Sequence, residues 1–350
     1  MKKFSTLGLI LSITLVAAQN NDSDLTIDSS NSNIVNVAQT GFSNYVKIKT
    51  THSSDQNFLY VGQSGSENKS KLKIKSDANK NLVLIGQTGT KNKSELLVKK
   101  SNANEIVITQ KGFKNISETS ITKGDRNAIF IAQRGTKNDA DPDIFSNSNK
   151  NRIVIAQRGT KNDADPDIFN DNSNENEIYI AQKGTKNDAD PDLRGGQNTV
   201  IIFQKGSKND ADPDISGNPS YKNLFVVSQR GYKNDADPDI LGGDSDRNAI
   251  YVAQRGSKND TDVYLENDSD RNTIGISQVG SDNLADVNYD GSNKNVLTIS
   301  QKGHANQSEI NLMMSSLNSI NVLQMGSEHF SNVSMTNAKI NSINVLQSGN

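Results

Sequence analysis

The sequence predicts an all-β protein, a β-solenoid of fourteen stacked strand–turn–strand repeats with amyloid-like parallel, in-register sheets. One frame, seen at residues 151–162, reads Asn, any, aliphatic, any, aliphatic, any, Gln, any, Gly, any, any, Asn. The Gln of this frame occurs fourteen times, at intervals of 22 to 25 residues. A fixed period in this range is typical of stacked repeats, and the alternation within the frame is typical of strands.

The composition argues against a nucleic-acid binder and against any role that needs cysteine. The formal net charge is -2, whereas a nucleic-acid binder usually carries a basic excess. The chain contains no Cys, which excludes disulfides and thiolate metal sites. We therefore expect no nucleic-acid partner and no cysteine-ligated cofactor.

The first eighteen residues have the pattern of a secretory signal peptide. Lys2 and Lys3 form the positive region, residues 7–16 form a short apolar run, and Ala17-Ala18 offers small residues for cleavage before Gln19. The apolar run is too short to span a bilayer comfortably, and no later run approaches that length. The sequence therefore predicts a signal peptide over 1–18, no membrane span, and a secreted product.

Residues 19–32 are polar and have no period, so we expect a disordered leader. The repeat domain then covers 33–350. Side chains alternate between the two faces of a strand, which places Asn33, Val35 and Gln39 on one face. The two middle positions of this face are Ile, Val, Leu or Phe in every copy, while the opposite face varies freely. This contrast predicts a strand with one buried face.

A Gly two residues after each Gln predicts a turn that needs a positive φ or a close backbone approach. The chain then returns in a shorter second strand, whose inward positions in the second repeat are Asn68, Ser70, Leu72 and Ile74. The predicted turn glycines are Gly41, Gly65, Gly89, Gly112, Gly135, Gly159, Gly184, Gly206, Gly231, Gly256, Gly280, Gly303, Gly326 and Gly349.

A single repeat buries too few apolar side chains to offset the entropy of ordering it, so each rung must stack on the next, about 4.8 Å away. Stacked amides of one type can hydrogen-bond to their copies above and below. Because Gln is a poor turn former, its recurrence favours a buried ladder over strand termination. The predicted ladder is Gln39, Gln63, Gln87, Gln110, Gln133, Gln157, Gln182, Gln204, Gln229, Gln254, Gln278, Gln301, Gln324 and Gln347.

These residues resemble the curlin repeat, the unit of the bacterial curli fibre subunits. The curlin pattern is Ser, five residues, Gln, one residue, Gly, two residues, Asn, one residue, Ala, three residues, Gln. The present chain matches at the first Gln, the Gly and usually the Asn, and Asn138-Asp-Ala140 also keeps the Ala. Asn replaces the leading Ser, as at Asn57, and an aliphatic residue replaces the second Gln, as at Ile74. The match covers residues 33–350.

The resemblance implies a secreted subunit that assembles with copies of itself into a functional amyloid, a curli-like fibre of the extracellular matrix for cell adhesion and biofilm formation. It also implies a nucleator subunit and an outer-membrane secretion pore as partners. The repeats show no capping pattern, and uncovered strands are templates for another chain. We therefore expect end-to-end growth, with recruitment around Gln347 and Gly349.

Copies five to nine carry an acidic segment in place of the second strand. It reads Asn138-Asp-Ala-Asp-Pro-Asp-Ile144 and recurs at 162–168, 187–193, 209–215 and 234–240. Stacked carboxylates about 5 Å apart repel one another, so a compensating feature is expected.

Three interpretations of the acidic segment stay open. Calcium could bind between carboxylates, since hard oxygen ligands suit it. The preceding cations, such as Arg134 and Lys137, could neutralise the carboxylates. The Pro of each segment could force it into a solvated loop. The candidate calcium ligands are Asp139, Asp141, Asp143, Asp163, Asp165 and Asp167.

Catalytic patterns are missing from the sequence. The three His residues, His52, His304 and His329, occupy non-equivalent repeat positions, and no Ser/His/Asp set, phosphate-binding Gly loop or zinc spacing appears. We expect no enzymatic activity and no cofactor, with calcium as the exception above. The alternative function is a monomeric extracellular β-solenoid that serves as an adhesin or a calcium-binding surface protein.

Overall fold

The computed structural model describes residues 10–169, 173–216, 220–242 and 245–349. Within these ranges the regular secondary structure consists of strands, and none of it is helical. Accordingly, no helix among these residues has the length and apolar character needed to cross a bilayer. The described residues form two compact units: unit 1 extends to Ala164 and includes Phe169, and unit 2 comprises Asp165–Ile168 and the residues from Ser173 onward.

Unit 1 contains thirteen strands among its described residues. They are β1 (Ile10–Gln19), β2 (Asp22–Asp28), β3 (Ile34–Phe42), β4 (Tyr45–Thr51), β5 (Phe58–Ser66), β6 (Lys69–Lys75), β7 (Leu82–Thr90), β8 (Lys93–Lys99), β9 (Glu105–Phe113), β10 (Ile116–Thr122), β11 (Ala128–Thr136), β12 (Asp143–Ile144) and β13 (Arg152–Thr160).

Unit 2 contains fifteen strands among its described residues. They are β14 (Asp167–Ile168), β15 (Glu177–Thr185), β16 (Asp192–Leu193), β17 (Thr199–Ser207), β18 (Leu224–Tyr232), β19 (Asp237–Leu241), β20 (Ala249–Ser257), β21 (Asp260–Glu266), β22 (Thr273–Ser281), β23 (Leu284–Asp290), β24 (Val296–His304), β25 (Gln307–Met313), β26 (Ser319–Ser327), β27 (Phe330–Thr336) and β28 (Ser342–Ser348).

The strands of unit 1 form two parallel sheets that the chain visits in turn. The first strands of the repeats pair in the order β1-β3-β5-β7-β9-β11-β13, and the second strands pair in the order β2-β4-β6-β8-β10-β12. The register is that of the repeat, since Gln39 lies opposite Gln63 and Ser70 lies opposite Ser94. Each rung therefore stacks on a nearly identical neighbour.

Unit 2 is built in the same way. Its first strands pair in the order β15-β17-β18-β20-β22-β24-β26-β28, and its later second strands pair in the order β19-β21-β23-β25-β27. Strands β14 and β16 pair over two residues, and isolated bridges link Leu193 to Ile215 and Ile215 to Ile240. The predicted all-β fold is confirmed: each unit is a β-solenoid with parallel, in-register strands.

The core of each unit lies between the inward faces of the two strands of every rung. In β5 the alternate residues Leu59, Val61 and Gln63 are buried, and in β6 Ser70, Leu72 and Ile74 are buried. Apolar residues that alternate in sequence thus make one continuous apolar layer when the rungs stack. The intervening residues face outward.

The segment predicted as a disordered leader, residues 19–32, differs from that prediction in the structure. Asp22–Asp28 forms β2, which pairs with β4 so that Leu25 lies opposite Ile48. Residues Ile10–Gln19, within and just after the predicted signal peptide, form β1, which pairs with β3. Residues 1–9 of that peptide lie outside the described part of the chain. Its cleavage stays a prediction.

Candidate functional site

The Gln side chains form hydrogen-bonded columns inside both units. In unit 1 the Nε2 of Gln39 donates to Oε1 of Gln63 (2.9 Å), and the same contact continues through Gln87, Gln110 and Gln133 to Gln157 at 2.7–3.0 Å. In unit 2 the column runs from Gln182 to Gln347 with distances of 2.8–3.0 Å. Each amide oxygen after the first in a column thus accepts a hydrogen bond from the Gln of the preceding rung.

The second hydrogen of each Gln amide is also used. Nε2 of Gln63 donates to the carbonyl oxygen of Tyr45 (3.1 Å), and Nε2 of Gln110 donates to that of Lys93 (2.8 Å). In both cases the acceptor belongs to the second strand of the preceding rung. Because these side chains are almost fully buried, a Gln at this position is satisfied only when neighbouring rungs are in place.

Two Asn columns run beside the Gln column, in the opposite sense. Nδ2 of Asn57 donates back to Oδ1 of Asn33 (3.1 Å), and Nδ2 of Asn68 donates back to Oδ1 of Asn44 (3.0 Å). The same oxygen of Asn33 accepts the backbone N–H of Asn57 (2.9 Å). Stacked amides follow from the repeat, and the fixed places of Asn in the frame were the signal for these two columns.

The turn glycines are positioned by close backbone approach. The first thirteen, from Gly41 to Gly326, have positive φ. A β-carbon at Gly231 would collide with the carbonyl oxygen of Gly256 in the next rung. Gly349 differs, since it follows β28 and only His329 lies near the place of its β-carbon.

The acidic segments stack as rungs instead of forming solvated loops. In unit 2 the backbone N–H of Asp190 donates to the carbonyl oxygen of Ala211 (3.2 Å), and that of Asp212 donates to Ala236 (3.1 Å). Pro213 and Pro238 are buried, because they occupy inward positions of the alternating pattern. The loop interpretation was therefore wrong. Without an N–H, Pro removes one ladder bond per rung, which shortens β14 and β16 to two residues.

The outward Asp residues of unit 2 consequently lie in columns. We call this surface the aspartate face, and its members are Asp188, Asp190, Asp192, Asp210, Asp212, Asp214, Asp235, Asp237, Asp239, Asp260 and Asp262. Burial, followed by repulsion from neighbouring carboxylates, raises the pKa of Asp190 and Asp212 to about 7 and that of Asp239 to about 8. Stacking the carboxylates in columns therefore costs electrostatic free energy.

The cations proposed to neutralise the acidic segments do not do so. In the part of the chain that the structure describes, these residues form no salt bridge: Arg134, Lys137, Arg158, Lys161, Lys183 and Lys186. They lie on the outer side of the first strand and in the first turn, whereas the carboxylates lie on the outer side of the second strand. Because first strands and second strands belong to different sheets, the two surfaces lie apart.

The six candidate calcium ligands are divided between the units. Asp139, Asp141, Asp143 and Asp163 belong to unit 1, and Asp165 and Asp167 belong to unit 2. Burial, followed by repulsion from Asp163, raises the pKa of Asp139 to about 6. No group of three or more His, Cys, Asp or Glu among the described residues is arranged to hold a metal ion. Calcium binding stays a prediction.

Unit 1 carries a surface of opposite charge on its second strands. The outward side chains of β4, β6 and β8 include the lysine face, which consists of Lys47, Lys49, Lys69, Lys71, Lys73, Lys75, Lys93 and Lys99. Three of these residues are paired: Lys47 with Asp24 (2.6 Å), Lys71 with Glu95 (2.8 Å) and Lys93 with Glu118 (2.6 Å). A recess of ≈ 730 Å³ lies over this surface, and both lysines, such as Lys49 and Lys73, and the carboxylates of Glu95, Glu118, Asp141 and Asp143 line it.

One surface cluster contains the residue types of a hydrolase triad. Nδ1 of His304 lies 2.9 Å from Oγ of Ser281 and 3.4 Å from Oδ2 of Asp282. Both contacts use the same ring nitrogen. A triad needs the Ser and the carboxylate on opposite nitrogens, so this geometry does not activate the Ser.

A scan against protein-family models found no match, and no curated protein matches the chain significantly.

Proposed function

We propose that the protein is a secreted structural subunit that assembles end to end into curli-like amyloid fibres of the extracellular matrix, where the fibres serve adhesion and biofilm formation. One observation carries the proposal: the in-register columns of Gln and Asn pair each buried amide with its copy in the next rung. Successive rungs present the same ladder, so a rung at the end of a stack is complementary to the first rung of another copy.

The proposed assembly needs no cofactor and no catalysis. A nucleator subunit and an outer-membrane pore are its proposed partners, on the strength of the resemblance to the curlin repeat. Backbone ladder bonds and amide columns supply affinity, and register supplies specificity, since a slip of one residue would place outward side chains in the core.

Sedimentation with thioflavin fluorescence tests the proposal. We expect the purified chain to move from the supernatant to a dye-binding pellet, with a lag that preformed fragments remove. A chain that stays in the supernatant for days without dye binding, even after seeding, would contradict the fibre function.

The aspartate columns favour a second candidate, a monomeric surface protein that binds calcium. Calorimetric titration with millimolar calcium checks it. Heat of binding to a chain that remains monomeric would support this candidate, and the absence of heat would remove it.

A further inference from the structure

We propose that the lysine face of unit 1 is a docking surface for the aspartate face of unit 2 of a second copy of this chain. The contact would join fibres side by side, in addition to end-to-end growth. It rests on the proposed fibre function, and the experiment below separates the failure of one from the failure of the other.

The lysine face has an unbalanced charge at its centre. Lys49, Lys73, Lys75 and Lys99 form no salt bridge with any residue that the structure describes. Lys73 lies opposite Lys49 in the adjacent strand, and Lys75 lies opposite Lys99. Burial, followed by repulsion from Lys73, Lys99 and Lys49, lowers the pKa of Lys75. This surface therefore favours an anionic partner.

Two carboxylates of the aspartate face lack a cation at salt-bridge distance in the part of the chain that the structure describes. Asp190 and Asp212 form no salt bridge with a described residue, and the carboxylates of neighbouring rungs repel one another. Both faces lie on the outer side of second strands, and both repeat with the rung. Ammonium groups that are spaced one rung apart therefore match carboxylates that are also spaced one rung apart.

The size of the contact indicates that it operates between fibres. Three strands of seven residues cover about 300 Å², given a rise of about 3.3 Å per residue and a strand spacing of about 4.8 Å. A stable pair of soluble proteins buries about 800 Å² on each partner. A fibre repeats the contact once per subunit, and linked contacts add in affinity without any new interaction.

Electron microscopy of fibres in low and high salt tests this inference. Charge attraction at a surface extends about 10 Å at 0.1 M salt and about 3 Å at 1 M, whereas the buried ladders are little screened. At pH 9, above the pKa of about 7 of Asp190 and Asp212, we expect paired or bundled fibres at 20 mM salt and single fibres at 1 M salt, with fibre mass unchanged.

Two triple variants and their mixture make the test specific. The variant K49Q/K73Q/K75Q removes three lysines of the lysine face that form no salt bridge with a described residue and leaves the aspartate face intact. The variant D190N/D212N/D237N removes three carboxylates of the aspartate face and leaves the lysine face intact. We expect each alone to form single fibres at 20 mM salt, and their separately grown fibres to pair with each other when mixed. The matched control K137Q/K161Q/K186Q changes the same number of lysines in the first turn and should bundle like the native chain.

Each outcome has a defined meaning. Bundling of both face variants at native levels would overturn the proposal. Loss of bundling in the lysine variant alone would overturn it as well, because the lysine face would then bind a different anionic surface. Single fibres of the native chain at 20 mM salt would overturn the lateral contact and leave the fibre function standing. Absence of fibres from every chain would overturn both.

Discussion

Strand β6 of unit 1 and residues 209–215 of unit 2 occupy the same place in their rungs. Their inward residues follow one pattern: Asn, a small residue, an apolar residue and Ile, all buried. Their outward residues are Lys in β6 and Asp in 209–215. β6 pairs over seven residues. Residues 209–215 also donate backbone N–H groups to the next rung, from Asp210, Asp212 and Asp214. Their ladder pairing is restricted to bridges at Ile215 because Pro213 has no N–H to donate. The inward pattern thus specifies the rung, and the outward face is free to carry charge.

The turn glycine that precedes the second strand of each rung should be the position most sensitive to substitution. Gly231→Val places a side chain against the carbonyl oxygen of Gly256 at a positive φ, so we expect unit 2 to lose at least about 3 kcal/mol of stability. Chemical unfolding followed by circular dichroism measures the loss. The control is Gly275→Val on the outer side of β22, where no neighbouring atom is closer than 3.9 Å. Equal effects at both glycines would contradict the close-approach account.

The Gln column should be the next most sensitive feature. Gln254→Leu removes two ladder bonds, one from Gln229 (3.0 Å) and one to Gln278 (3.0 Å), and leaves a buried donor and a buried acceptor without these partners. We expect a loss of about 1–3 kcal/mol in the free energy of unfolding. Ala253→Leu, on the outward side of the same strand, should change it little. A neutral Gln254→Leu would show that the column contributes no stability.

Acidification should stabilise the region that carries the aspartate face. The folded-state pKa of Asp190 and Asp212, about 7, exceeds the value of about 3.9 expected for an unfolded chain. The folded state therefore binds protons more tightly, and stability should rise as the pH falls from 8 to 5 and level off near pH 4. Urea midpoints of the native chain and of D190N/D212N measure the effect, which the variant should reduce. A midpoint that falls between pH 8 and pH 5 would contradict the sign.

The surface pairs of unit 1 should matter least. Asp24→Asn removes the partly exposed salt bridge to Lys47, and we expect the smallest loss of stability among these changes, with the difference disappearing in 1 M salt. Thermal unfolding at two salt concentrations checks it. A larger, salt-independent loss would mean that β2 depends on this pair more than on its strand pairing with β4.

The repeat frame predicted the fold and the placement of the Gln side chains well, because a two-residue alternation determines which side chains face inward. The same alternation runs through Asn138, Ala140, Pro142 and Ile144, all of which are buried. Interpreting the Pro as a loop former was wrong because its missing N–H costs one ladder bond but does not prevent an inward place in the rung. That interpretation gave more weight to the Pro and Asp content of the segment than to the alternation of its inward residues.

Strand β2 was missed although its residues carry a signal. Asn21, Ser23, Leu25 and Ile27 repeat the residue types and the spacing of the inward positions of later second strands. Pairing with β4 places Leu25 opposite Ile48, as that pattern requires. The first-strand frame with its Gln and Gly does not precede this stretch, so the period alone did not reveal it. The separation of the cations from the carboxylates was beyond sequence reasoning, since it depends on the sheet to which each side chain belongs.

Fibre diffraction from oriented fibres of the full chain tests the central claim most directly, namely that copies add by continuing the rung stack. The account predicts a meridional reflection at about 4.8 Å, along the fibre axis, and an equatorial reflection near 10 Å from the paired sheets. A reflection near 4.8 Å that lies on the equator would mean that the strands run along the fibre, and it would contradict end-to-end stacking.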